Sequence, residues 1–194
     1  MAASIREPTE RLVTVVFIDV RGYTALTARE TPHQLADQIA TFYRWAEEEI
    51  HRHQGLVDRY AGDAVMATFN VTGTRLDHPV QGLQAALAIR DKAAFAGLPV
   101  GIGIAVGPAV VGQFSEGSSV TAVGDTINLA SRLQTQVSEG ELLLSEETFR
   151  RTRDWLQEQE LPATEESLTL KGFSDPIRAY RVTAPSPAGA TGLS

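Results

Sequence analysis

The sequence predicts an α+β fold: a βαββαβ core followed by a β-hairpin, a helix and a small C-terminal α/β portion. Three observations carry this. Leu12-Val13-Thr14-Val15-Val16-Phe17-Ile18 is too uniformly apolar for a strand with one wet face and suits the middle of a sheet. Two strand-like runs, residues 56–61 and 64–69, are separated only by Gly62-Asp63, which marks a tight hairpin. Two segments whose apolar residues recur every three or four positions flank that hairpin and read as helices with one buried face. Two helices against one face of a largely antiparallel sheet is the ferredoxin-like solution.

In chain order, residues 1–10 are polar and expected to be flexible, residues 11–183 form the domain, and the Pro/Ala/Gly/Ser-rich residues 184–194 are expected to be a flexible tail or linker. The first long helix starts where Thr31 caps, Pro32 takes the first helical position and Gln34 completes a capping box. Leu35, Ile39, Phe42, Ala46 and Ile50 form its apolar stripe. A second helix covers about 79–94, with Leu83, Ala86, Leu87 and Ile89 inward. Residues 100–106 form a strand with glycine at alternate positions, a bare face that suits either a tightly packed helix or the approach of a ligand or another chain. Residues 109–114 and 119–123 suggest a hairpin. A helix then runs to about Val137, burying Ile127, Ala130, Leu133 and Val137. A short strand at 142–144 and a short helix after Ser145 follow. Residues 153–167 read as charged and irregular, interrupted by Pro162, before strands near 167–170 and 177–182.

Composition narrows the function. The net charge is -7 and no basic block offsets it, which argues against nucleic acid or anionic lipid as a partner. The absence of cysteine removes disulfides, thiolate catalysis and Cys-ligated zinc. No secretion signal and no apolar window of membrane-spanning length is visible, so a cytoplasmic protein, or the cytosolic domain of a longer signalling protein, is expected.

The chemistry concentrates in three places. Asp19, in Phe17-Ile18-Asp19-Val20-Arg21-Gly22-Tyr23, ends the apolar strand, where a carboxylate is costly unless hydrated, hydrogen-bonded or bound to a cation. Asp63 stands at the hairpin tip. Brought together, the two make an oxygen-rich site for magnesium or manganese, although either aspartate alone is more often just a turn former. Asn128 and Arg132, four apart near a helix start, share the face opposite Ile127 and Ala130. An amide and a guanidinium there could orient a ribose and hold a phosphate. The plainer alternative is a solvated Asn128 and an Arg132 paired with Glu139 or another surface acid.

Residues 15–24, 58–69 and 123–133 together closely resemble the class III adenylate/guanylate cyclase catalytic domain, in matching order and separation, and the similarity spans roughly residues 11–183. The resemblance implies a head-to-tail homodimer with two active sites shared between subunits. It implies two divalent metal ions, Mg2+ or Mn2+, on Asp19 and Asp63, a ribose-positioning role for Asn128 and a phosphate-stabilising role for Arg132. Arg59 matches the position of a base-reading lysine and Thr121 its polar partner, where aspartate is common. Lys171, in Leu170-Lys171-Gly172-Phe173, falls in the region that supplies a further phosphate-binding lysine.

On that resemblance the expected substrate is ATP, closed to 3′,5′-cyclic AMP with release of pyrophosphate. Arg59 can donate to adenine N1 and Thr121 can accept from the exocyclic amine. Arginine can also reach guanine O6 and threonine can also donate, so guanylate or dual-specificity cyclisation stays open. The rivals are a diguanylate-cyclase or polymerase-palm-like enzyme, which would need another product-forming motif or a template, and a non-catalytic nucleotide-binding dimerisation module. His33, His51, His53 and His78 do not form a persuasive ligand set.

Overall fold

The computed structural model describes residues 7–183, and the expected tail at 184–194 and all but the end of the expected N-terminal segment lie outside them. The elements are β1 (Thr9–Val20), α1 (Tyr23–Arg29), α2 (Pro32–Arg52), β2 (Gly55–Ala61), β3 (Ala64–Phe69), α3 (His78–Phe95), β4 (Val100–Gly112), β5 (Thr121–Val123), α4 (Asp125–Gln134), β6 (Leu142–Ser145), α5 (Glu146–Glu158), β7 (Ala163–Leu168) and β8 (Ile177–Val182). They build one mixed sheet in the order β2-β3-β1-β4-β6-β8-β7, with β5 also paired to β4. Every described pair is antiparallel except β4 with β6. The βαββαβ core is β1 to β4 in the spatial order β2-β3-β1-β4, the expected ferredoxin-like arrangement.

The uniform hydrophobicity of β1 is explained by its central place between β3 and β4. Val16, Ile18 and Val20 pack on one face with Phe42, Ala46 and Ile50 of α2 and Leu83, Ala86 and Ile89 of α3. Val13 and Val15, with Phe17 against them, pack on the other face with Ile127 and Ala130 of α4. Because strand side chains alternate, Asp19 falls on this second face. The α2 start is built as expected: Thr31 Oγ1 accepts from Gln34 N at 3.3 Å, and Gln34 Oε1 accepts from Thr31 N at 3.0 Å.

Four expectations are corrected. β1 starts at Thr9, so ordered strand reaches into the segment expected to be flexible. β4 is one strand of 13 residues rather than two, with Pro108 exposed opposite Leu12 without ending it. α4 stops at Gln134, although Val137 still packs beside Leu133. The stretch expected to be irregular holds the end of α5 and all but the last residue of β7, which begins at Ala163 rather than near Ser167. The buried residues of α5 are Thr148, Thr152 and Leu156, a stripe too polar to show as hydrophobic periodicity. β7 is an edge strand held by polar cross-strand pairs, including Glu166 with Arg181 and Glu165 with Tyr180. Among the described residues, no helix is long and apolar enough to cross a membrane.

Candidate active site

The two aspartates of the sequence pattern meet. Asp19, near the end of β1, stands opposite Ala64 of β3 and Gly101 of β4. The hairpin reverses through Gly62, whose φ of +60 is one that a side chain rarely allows, and this sets Asp63 just before β3. Val20 N–H donates to the Asp63 carbonyl at 3.1 Å, tying the tip to the strand end. The Tyr43 hydroxyl of α2 donates to the Gly62 carbonyl and braces the same turn.

The carboxyl of Asp19 is pushed up to about 6. Burial is the largest cause, followed by the Asp63 charge and a hydrogen bond with Asp63; Arg21 and Gln134 pull the other way. Arg21 Nη1 lies 3.5 Å from Asp19 Oδ2, and Gln134 Nε2 donates to the same oxygen at 3.1 Å. A half-buried carboxylate whose ionisation is opposed by burial and by a second carboxylate beside it is one that a hard divalent cation would relieve, so the donor set fits magnesium or manganese. Among the described residues no group of three or more His, Cys, Asp or Glu side chains could hold a metal. Further oxygens would have to come from backbone, water or a ligand's phosphates.

The bare face of β4 receives a helix. A Cβ on Gly103 would run into the Ala130 carbonyl and the Gln134 backbone nitrogen, and one on Gly107 would lie 2.5 Å from Thr126 Oγ1. α4 therefore rests directly on β4, burying Ile127, Ala130, Leu133 and Gln134. Asn128 is exposed and Arg132 half-buried, on the face turned away from the sheet. Neither side chain makes a hydrogen bond among the described residues, and the alternative pairing of Arg132 with Glu139 does not form there. The α4 side chain that reaches Asp19 is Gln134, roughly 160° around the helix from Arg132. One chain thus carries the acid pair and the Asn128/Arg132 pair pointing apart.

Arg59 and Thr121 are brought together, with Arg59 Nη2 3.5 Å from Thr121 Oγ1. Sequence reasoning missed what joins them: Asp58, whose side chain is only 1% exposed. It accepts from Thr121 Oγ1 at 2.7 Å, from Ala122 N at 3.0 Å and from Arg59 Nε at 3.2 Å. Lys171 is exposed in the turn between β7 and β8 and makes no hydrogen bond or ion pair with the other candidates. Its neighbour Leu170 packs with Leu133 and Val137, which places the turn beside the end of α4. A large cavity of about 940 Å3 lies elsewhere, between the start of α5 and the β7–β8 edge, and none of the seven candidates lines it.

The fold and the paired aspartates match what the sequence resemblance implies for a nucleotide-cyclising catalytic domain. The chain belongs to the adenylate and guanylate cyclase catalytic domain family, whose model matches residues 5–184. It is similar to an uncharacterized protein of Mycobacterium tuberculosis (33% identical over 177 residues, 87% of this chain and 30% of that protein). It is also similar to an adenylate cyclase of Anabaena cylindrica (30% identical over 186 residues, 90% of this chain and 37% of that protein). The chain thus spans about a third of the length of these curated relatives. Its fold resembles the adenylyl cyclase CyaB from P. aeruginosa, with a TM-score of 0.80 and 25% identity over 97% of this chain and 100% of that one. Guanylyl cyclases share the same fold.

Proposed function

We propose that this domain is an adenylate cyclase that converts ATP to 3′,5′-cyclic AMP and pyrophosphate, working as a head-to-tail homodimer with two shared active sites. The observation that carries the reading is the opposed placement of the two half-sites, with Asp19 held by Gln134 on the inner side of α4, Asp63 beside Asp19, and Asn128 and Arg132 on the outer side of that helix. A second copy facing the first would supply what each half lacks.

Asp19 and Asp63 would hold the two divalent ions, which when bound would offset the triphosphate charge and acidify the ribose 3′-hydroxyl. In the reaction the 3′-oxygen forms a bond to the α-phosphorus as the bond to the pyrophosphate oxygen breaks, in line. Asn128 holds the sugar so that this oxygen faces phosphorus, an orientation effect. Arg132 matches the charge that develops on the transferring phosphate and the leaving group. Arg59 donates to adenine N1, Thr121 accepts from the exocyclic amine, and Lys171 adds a cation for the phosphates.

The test is product analysis of the purified protein given ATP and GTP separately with magnesium or manganese. Cyclic AMP and pyrophosphate in equal amounts are expected from ATP. Cyclic GMP as the main product would overturn the substrate assignment, and binding of ATP without any cyclic product would point to a non-catalytic module.

A further inference from the structure

Resting on the adenine-site reading above, we propose that Asp58 is a positioning residue that sets base specificity, by taking the Thr121 hydroxyl proton and so leaving Thr121 only acceptor capacity toward the base. Asp58 sits at an irregularity of β2. The register passes from Val57 opposite Ala67 directly to Arg59 opposite Met66, so Asp58 has no partner in the ladder. Such a bulge re-aims a side chain, and here it sends the carboxylate toward β5.

A carboxylate is an acceptor only, so in the 2.7 Å contact the Thr121 hydroxyl is the donor. The other carboxylate oxygen accepts from the Ala122 backbone N–H at 3.0 Å, which fixes the plane of the group. The oxygen that receives the hydroxyl also receives Arg59 Nε at 3.2 Å. That tether directs Nη2 of Arg59 to donate to Thr121 Oγ1 at 3.5 Å and leaves Nη1, on a side chain that is 52% exposed, to donate outward. Asp58 therefore sets an outward donor on Arg59 beside the one acceptor position left on Thr121, whose Oγ1 donates its proton to Asp58 and accepts from Arg59 Nη2.

Adenine presents an acceptor at N1 beside a donor at its exocyclic amine, which complements this order. Guanine presents a donor at N1 beside an acceptor at O6. In the same pose both contacts are then mismatched, donor against donor and acceptor against acceptor. Discrimination is a difference between a matched and a mismatched partner, so a hydroxyl that cannot reverse excludes guanine more firmly than a freely rotating one would.

The experiment measures affinities of the full chain, with manganese present, for non-hydrolysable ATP and GTP analogues and for a purine riboside triphosphate analogue lacking the amine. Cyclisation rates for ATP and GTP are taken alongside. In Asp58→Asn the amide oxygen is retained by the Ala122 N–H, which turns the amide nitrogen toward Thr121 and frees its hydroxyl proton. The ratio of ATP to GTP affinity is expected to fall about tenfold, the scale of one reversed hydrogen bond. Thr121→Val is expected to lower the same ratio, and adding Asp58→Asn to it is expected to change the ratio little further. Wild-type protein is expected to bind the deaminated analogue several-fold more weakly than the ATP analogue, a comparison that needs no Asp58 variant to fold. An unchanged ratio in folded Asp58→Asn, or equal wild-type affinity for the aminated and deaminated analogues, would overturn the inference. If wild-type forms cyclic AMP and that ratio does not move, the inference fails while the cyclase reading stands. If wild-type forms no cyclic product yet the binding ratio collapses in Asp58→Asn, the catalytic reading fails while the inference stands.

Discussion

Asp19 is held where its charge costs stability. Its carboxyl is raised from an ordinary 3.8 to about 6 by burial and by Asp63, so the folded chain favours the protonated form. The stability that proton contributes is fully present below the unfolded value and is lost as pH rises through the folded one. At pH 7 the metal-free protein therefore carries the penalty, and Asp19→Asn, which mimics the protonated form, should relieve it. In chelator at pH 7 this variant should be more stable than wild-type by on the order of 1–3 kcal/mol, read from thermal or denaturant unfolding. Manganese should raise the melting temperature of wild-type but not of the variant, which should make no product. A variant less stable than wild-type in chelator would contradict this account of the carboxylate pair. At this scale the motif was open to sequence reading, because Asp19 and Asp63 each sit at a recognisable strand end or turn. Asp58 and Gln134 were not, since no local spacing links residue 58 to Thr121 or residue 134 to Asp19.

At the scale of elements, the glycines of β4 decide where α4 lies. A methyl on Gly103 would meet the helix backbone itself, at the Ala130 carbonyl and the Gln134 nitrogen, whereas one on Gly107 would meet the Thr126 side chain. Backbone cannot turn aside and a side chain can. Gly103→Ala should therefore cost about 2–3 kcal/mol and lift α4 from the sheet, against about 1 kcal/mol for Gly107→Ala. Urea unfolding compares them, and equal small losses would contradict direct packing of helix on strand. The alternating glycines were visible in the sequence, but their partner was not. Bare backbone shows that something approaches closely without showing whether it is a helix, a ligand or another chain. The second half of α5 and the start of β7 were obscured for another reason, since threonines and paired charges do there what hydrophobic periodicity does in α2.

Across the whole molecule, the helix layer holds buried polar groups that set its response to acid. His78 is buried against Thr14, whose Oγ1 lies 2.7 Å from its Nδ1, and is depressed to about 4 by burial and by Arg151, with Asp77 opposing. The unfolded chain takes up this proton first, near 6.5, so the contribution of His78 is present above that value and is lost as pH falls toward 4. Lowering pH from 7 to 5 should cost about 2 kcal/mol through His78 alone, and His78→Gln should flatten that limb of the stability curve. Glu49 of α2 meets Lys92 of α3 and Arg52, and these partners hold its carboxyl below the usual range despite its burial. Its contribution is lost only at lower pH, as the folded value is crossed. The central sheet and its two flanking helices could be read from sequence because one strand is buried on both faces. The way two copies would meet could not, since one chain's pattern records only which groups it turns outward.

The claim on which the function rests is that each site draws its acid pair from one chain and its Asn128/Arg132 pair from another. Mixing an Asp63→Ala chain with an Arg132→Ala chain, each inactive alone, tests it most directly. Random pairing leaves one intact site in half of the dimers, so activity should recover to roughly a quarter of wild-type. No recovery in a mixture shown to contain the heterodimer would contradict the account.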